Sequence, residues 1–358
     1  ILNPFYVKAI DLDKDNDVDI LVSSSETDEL YWLKNNGSSN FKIDTIGNFV
    51  NHFEIADLNG DNDWDIIFGR PYTGITFSEV RAYQNDGNNN FSMIVLKSGL
   101  SVVHEVIVED INGDNYFDIV VPDYSGDAIL WLKNDGNYNF GNQSIIINNF
   151  DGPEGLDLLD VNEDGRKDLI AGSYQTGEIF YFQGTGSQTS YNFSNGVLIS
   201  NSLNSVSDIA IGNFDNQNHL DFVHANKNAD AISAWTNDGS QNFTEGKLAF
   251  SFDSPRAFDM QDLDGDGDQD VAAVSNDGDM VAWMENLGDD IFKTHILLTN
   301  YEEPYVVRIN DLDDDGDFDI IAASNDDDRV SWWENDGAGN FTLEHLSTNV
   351  NGPRDLWI

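Results

Sequence analysis

The sequence predicts an all-β fold, a seven-bladed β-propeller of four-stranded antiparallel blades, on three observations. An Asp-rich phrase recurs seven times, at intervals of 46 to 53 residues. The same succession of short apolar stretches and polar turns surrounds every copy. No stretch carries a sustained helical period with caps.

The phrase opens at Asp11, Asp57, Asp110, Asp160, Asn213, Asp262 and Asp311. In the last copy a short alternating stretch, Tyr305–Ile309, precedes it, and a β-branched stretch, Ile320–Ala323, follows. A polar turn then leads to an aromatic strand, Val330–Trp333. Next come the hairpin signal Asn335-Asp336-Gly337 and a strand opening with Phe341. Each repeat therefore reads as four strands, with the acidic loop between the first and the second. The repeats fall near 1–48, 49–100, 101–150, 151–202, 203–252, 253–301 and 302–351. Residues 352–358 repeat the phrase that opens a first strand, as closure of the fold or as the start of a truncated eighth repeat.

Aromatic residues mark the packing. Phe41, Phe91, Phe140, Phe193, Phe243, Phe292 and Phe341 open the fourth strands. Trp32, Tyr83, Trp131, Tyr181, Trp235, Trp283 and Trp332 occupy the third strands. A ring in every repeat is the signature of core between blades rather than of a ligand platform.

Composition narrows the function classes. The chain has 65 Asp and Glu against 17 Lys and Arg, a net charge of −48. Such a field repels phosphate backbones and anionic membrane surfaces, so nucleic acid is excluded as a partner, and no apolar run is long enough for membrane insertion. There are no cysteines, hence no disulfides and no thiolate metal site. The amino-terminal stretch lacks a basic leader and reads as a processed or excised segment of a longer protein.

The acid that clusters needs a cation. Positions 1, 3, 5 and 9 of the phrase carry Asp or Asn in six copies. These are Asp11, Asp13, Asp15 and Asp19; Asp57, Asn59, Asp61 and Asp65; Asp110, Asn112, Asp114 and Asp118. The remaining three are Asp160, Asn162, Asp164 and Asp168; Asp262, Asp264, Asp266 and Asp270; and Asp311, Asp313, Asp315 and Asp319. Position 7 varies freely (Asp17, Asp63, Tyr116, Arg166, His219, Asp268, Asp317), as a backbone carbonyl donor would allow. All-oxygen sites rich in carboxylate and shaped like a shortened EF-hand loop suit Ca²⁺. Metal-free Asx turns would not leave such clusters without a balancing Lys. The expectation is about six structural Ca²⁺ ions. The fifth loop, with Asn213 and Gln217 in place of Asp, is the weak one.

These phrases resemble the FG-GAP and VCBS repeats, whose Asp-x-Asp-x-Asp-Gly loops bind calcium in integrin α-subunit propellers and in many secreted bacterial proteins. Trp333-Glu-Asn-Asp-Gly337 and Asn340-Phe-Thr342 look like the bacterial VCBS type. The words Phe-Gly and Gly-Ala-Pro are missing apart from Phe68-Gly-Arg-Pro71. The resemblance implies a secreted or cell-surface protein with a binding or adhesion role.

In a four-stranded blade the acidic loop and the third turn share one side, and the second turn and the link to the next blade share the other. That second side varies. Six residues before the phrases stand Phe5, Asn51, His104, Glu154, Ser207, Arg256 and Tyr305, and the second turns bring Tyr72, Tyr124 and Tyr174. Among them His104, Glu154, Arg256, Tyr305, Tyr72, Tyr124 and Tyr174 are the candidate ligand residues, for a glycan or a surface protein. The alternative is a polysaccharide lyase, which needs a Tyr or His base beside an Arg that neutralises a uronate. Motifs for an activated serine, a phosphate loop or a His-Glu-x-x-His zinc site are absent.

Overall fold

The strands form where β-branched and aromatic stretches run between clusters of Asp, Asn and Gly. A computed structural model describes residues 1, 3–37, 41–48, 50–70, 78–136, 138–141, 144–214, 219–250, 252–288, 291–347 and 352–357. It is all-β, a propeller of seven four-stranded antiparallel blades, each with its strands paired in chain order. None of its helices is long and apolar enough to cross a membrane, among the described residues.

Two compact units divide the chain. The first holds residues 1–153, 185–195 and 357. Its blade one is Pro4–Ile10, Asp19–Ser24, Glu29–Asn35 and Phe41–Asn48. Blade two is Glu54–Ala56, Asp65–Arg70, Ser78–Asn85 and Phe91–Leu100. Blade three is Ile107–Glu109, Asp118–Asp123, Ala128–Leu132 and Ser144–Asn148. Leu21, Leu30 and Trp32 of blade one pack with Phe53, Ile66, Phe68 and Tyr83 of blade two. Ile67, Val80 and Ala82 pack in turn with Ile119, Val121 and Leu130 of blade three.

The second unit holds residues 154–184 and 196–356. Blade four is Pro153–Leu159, Asp168–Ser173, Ile179–Phe182 and Val197–Ser200. Blade five is Asp208–Gly212, Asp221–Asn226, Ala231–Asn237 and Phe243–Phe250. Blade six is Pro255–Gln261, Asp270–Ser275, Met280–Asn286 and Phe292–Thr299, and blade seven is Pro304–Asn310, Asp319–Ser324, Arg329–Asn335 and Phe341–Ser347.

Burial is graded across each blade. The second strands of blades three to seven are buried at every residue, whereas the fourth strands alternate or lie exposed. The near-continuous apolar runs of the second strands follow, because blades cover them on both faces. The aromatic positions knit successive blades within a unit. Phe91 meets Trp32 edge-on at 6.2 Å, and Phe341 meets Trp283 at 5.6 Å. Phe41 departs from this pattern and is 45% exposed.

Candidate functional site

Six of the acidic loops share one internal scaffold. The position 1 carboxylate closes the turn by accepting the backbone N–H of position 6 and that of position 4, position 5 or both. Asp11 accepts from Asp15 and Asn16, both at 3.0 Å. Asp262 accepts from Gly265 at 2.8 Å and Gly267 at 3.0 Å. Asp311 accepts from Asp315 at 3.1 Å and Gly316 at 3.0 Å. The position 5 carboxylate accepts from the N–H of position 7, as in Asp315 from Asp317 at 3.0 Å. Gly267 and Gly316, at φ +100° and +99°, take position 6 where L side chains are strained.

Position 9 plays a different part. Its carboxylate is buried, and its two oxygens accept from two distant backbone N–H groups. Asp270 takes Leu263 at 2.8 Å and Asn286 at 2.7 Å. Asp19 takes Leu12 at 3.2 Å and Asn35 at 2.7 Å. This latch recurs in six blades, and in blade three Asp118 accepts from the Asn134 N–H at 2.7 Å and from the side-chain amide of Asn112 at 2.9 Å. Burial pushes the carboxyls of Asp65, Asp118 and Asp168 up to about 6 and that of Asp270 to about 7, in the absence of any ion.

Do the residues fit a hard cation? Three groups bring carboxylate oxygens within 4.8 Å of one another: Asp11, Asp13 and Asp15; Asp262, Asp264 and Asp270; Asp311, Asp313 and Asp315. Asp13 Oδ1 and Asn112 Oδ1, both at position 3, are buried without a hydrogen-bond partner. Burial, and then the neighbouring carboxylates, raise Asp313; the same two causes raise Asp264. Orphaned oxygens and crowded carboxylates are what an oxygen-ligated divalent ion relieves.

The premise that balancing cations are missing needs correction in four loops, the second among them, where Lys14 Nζ pairs with the position 7 Asp63 at 2.8 Å. Lys34 Nζ contacts Asp13, Lys133 Nζ lies 3.6 Å from Asp114, and Arg166 donates to Asp164 at 2.5 Å. In the sixth and seventh loops no Lys or Arg pairs with a carboxylate at position 1, 3, 5 or 9 among the described residues, which makes them the cleanest candidate sites. Of the fifth loop, residues 215–218 lie outside the described residues. Its Asp221 keeps the latch, accepting from Phe214 at 2.9 Å and Asn237 at 2.7 Å.

Beside these loops lies a stitch that the sequence does not announce. The Asn at the end of a third strand donates its side-chain amide to the position 2 carbonyl of the preceding blade. Asn134 reaches Leu58 at 2.7 Å, Asn286 reaches Phe214 at 2.7 Å, and Asn335 reaches Leu263 at 2.6 Å.

On the other side of the blades the predicted residues separate. In unit one, the rings of His104 and Tyr124 meet at 5.1 Å. Tyr72 lies outside the described residues. Glu154 and Tyr174 stand half-buried in unit two. Arg256 and Tyr305 do meet, with the guanidinium carbon 4.1 Å from the ring centroid and an amine donating to the phenol oxygen.

A pocket of about 60 Å³ opens in unit one, lined by Tyr6, His52, Phe53, Glu54, Glu105 and Val106. The ring of His52 sits 4.7 Å from Tyr6, edge to face. Lys8 pairs with Glu54 at 2.6 Å and holds its ammonium 5.3 Å from the centroid of Trp357, a ring that is 49% exposed. Tyr6, His52 and Glu105 directly follow Phe5, Asn51 and His104, three of the positions compared in the sequence.

A family model described as FG-GAP-like repeat matches residues 11–68, 110–171 and 262–322. No curated protein matches the chain. Among solved structures, the chain is similar to an Agrocybe aegerita lectin described by its recognition of non-reducing terminal N-acetylglucosamine. The identity is 17%, the TM-score 0.60, and 96% of this chain and 94% of the lectin are covered. It is also similar to virginiamycin B lyase from Staphylococcus aureus, at 14% identity and TM-score 0.55, covering 90% of this chain and 92% of that one. Rhamnogalacturonan lyase YesW aligns at 12% identity and TM-score 0.53, over 94% of this chain and 66% of that one. Likeness at these identities is likeness of fold.

Proposed function

This chain belongs to the FG-GAP-like repeat family, and from that premise we propose that it is a glycan-binding propeller module whose acidic loops hold structural Ca²⁺. The supporting observation is the pocket in unit one together with the exposed Trp357 ring at the far side of Lys8. Nothing in the repeat demands His52, Glu54, Lys8 or Trp357 there. A sugar offers an apolar face to an exposed indole and hydroxyls to carboxylate, imidazole and ammonium groups. A volume near 60 Å³ exceeds the roughly 10–15 Å³ that one water needs. It suits one substituent of a sugar, with the ring lying across the mouth.

The ions belong to the same reading. Position 1, 3, 5 and 9 side chains would hold Ca²⁺, with the sixth and seventh loops loading first. A module of this kind works outside the cell or at its surface, where weak calcium sites of ~10⁻⁴–10⁻³ M are filled.

A glycan array probed with and without Ca²⁺ tests the proposal. The expected result is binding to a defined glycan that falls at least about tenfold in Trp357→Ala and His52→Ala, with melting unchanged. Retention of no glycan, or unaltered binding by both variants, refutes it. An unsaturated product absorbing in the ultraviolet would instead point to the lyase alternative.

A further inference from the structure

The acid excess of this chain makes an unpaired arginine unusual. Unit two and unit one together contain six arginines whose side chains are described. Four of them pair with a carboxylate: Arg81 with Glu79, Arg166 with Asp164, Arg308 with Asp355 and Arg329 with Asp327. Arg256 and Arg354 do not, and these two converge on one ring. Their guanidinium carbons lie 4.1 and 5.5 Å from the centroid of Tyr305.

The placement is built rather than accidental. Arg256, Tyr305 and Arg354 are spaced 49 residues apart, so they hold the same register in successive repeats. The terminal segment is seated like the start of a blade. Gly352 N–H donates to Asp328 at 2.8 Å, as Glu303 N–H donates to Asp279 at 3.1 Å and Ser254 N–H to Asp230 at 3.2 Å. Arg354 is then fixed by donating Nε to Asn325 Oδ1 at 2.9 Å. Its sequence neighbour Asp355 is drawn away to Arg308, at 3.6 Å. Tyr305 accepts one Arg256 amine on its hydroxyl. The remaining N–H donors of both guanidiniums meet no acid among the described residues.

A guanidinium with no carboxylate beside it gains from an anion bound at its free N–H groups. Planar N–H forks match carboxylates in geometry as well as in charge. We infer that Arg256 and Arg354, positioned by Tyr305 and Asn325, form a carboxylate subsite that takes the acid group of a uronate-bearing glycan. The inference rests on the glycan-binding reading above and adds to it the charge of the sugar. In a field as negative as this one, such a site also rejects acidic chains that fail to place a carboxylate there. Tyr305 is a positioning residue here, because its ring is covered by a guanidinium instead of lying open to a sugar.

The test uses the whole chain with Ca²⁺ present. A panel of uronate trimers, their methyl esters, the matching neutral trimers and inorganic sulfate are titrated, following the arginine Nε–H signals by NMR. The native chain is expected to bind an acid trimer about tenfold or more tighter than its ester. Arg256→Gln and Arg354→Gln are each expected to erase that difference while keeping the melting temperature and the affinity for the neutral trimer. Equal binding of acid and ester, or a difference that survives both substitutions, overturns the subsite and leaves glycan binding standing. Sulfate binding as tightly as the acid trimer overturns the uronate assignment. Failure of every trimer overturns the glycan-binding reading and this inference with it.

Discussion

His224 sits at the centre of a buried strand in blade five with no exposed surface. Trp235 donates its indole N–H to His224 Nδ1 at 3.0 Å, so the ring proton resides on Nε2. Nε2 finds no partner in its buried surroundings. A second proton would place an imidazolium in apolar packing, and burial accordingly lowers this histidine to about 3 from an ordinary value of 6.5. Because the folded value is the lower one, the contribution to stability is whole above pH 6.5 and is lost as pH falls toward 3. One pH unit is worth about 1.4 kcal/mol, so the loss between pH 7 and pH 5 is about 2 kcal/mol. His224→Phe removes the titration but orphans the indole N–H, at a constant cost of about 1–3 kcal/mol. His224→Gln keeps an acceptor for Trp235. Urea unfolding with Ca²⁺ at pH 7 and pH 5 separates these terms. Both variants should lose about 2 kcal/mol less than the native chain across the interval. Equal losses in all three proteins refute the argument.

Two further predictions follow from the loops. In EDTA the folded chain holds protons on Asp65, Asp118, Asp168 and Asp270 that the unfolded chain has released, since their folded values are raised to about 6 or 7. Apo stability therefore falls as pH rises from about 4 to 7, whereas excess Ca²⁺, which binds the ionised form, reverses that slope; thermal melts across this range check the sign. Tyr138→Phe removes the phenol that donates to Asp65 Oδ2 at 2.7 Å, and should cost about 1–3 kcal/mol by urea titration.

The repeat made the fold legible because period and pattern agree: one phrase fixes the turn between two strands, and the aromatic positions place every blade in register. Seven four-stranded blades follow from that alone. The functional side was legible only in part. Arg256 and Tyr305 were found by comparing one position across repeats, and Arg354 occupies that very position in the terminal segment. Tyr6, His52 and Trp357 escaped because their meaning lies in neighbours from other blades, which spacing does not encode. Lys34 and Lys133 escaped for the same reason: each is distant in sequence from the carboxylate it approaches. The stitches from Asn134, Asn286 and Asn335 read as simple turn residues, because the carbonyls they reach are 72 to 76 residues away.

The fifth loop separates two duties that coincide elsewhere. In five of the other six loops the position 9 Asp is both a candidate ligand and a latch, so its presence decides nothing between them. In the fifth, positions 1 and 5 have become Asn213 and Gln217, yet Asp221 remains and still accepts from Phe214 and Asn237. The latch explains why that carboxylate stays when its fellow ligands go. Asn at 221 retains one acceptor oxygen and turns an amide toward the second N–H. Asp221→Asn should therefore cost about 2–4 kcal/mol, equally in EDTA and in Ca²⁺. Asp264 has no latch duty and is crowded by Asp262, Asp266 and Glu285. Asp264→Asn should destabilise the Ca²⁺ form and leave the EDTA form unchanged or firmer, since it removes one repelling charge. Thermal and urea unfolding of both variants under both conditions form the test. A cost for Asp221→Asn that appears only with Ca²⁺ would make position 9 a ligand first and a latch second.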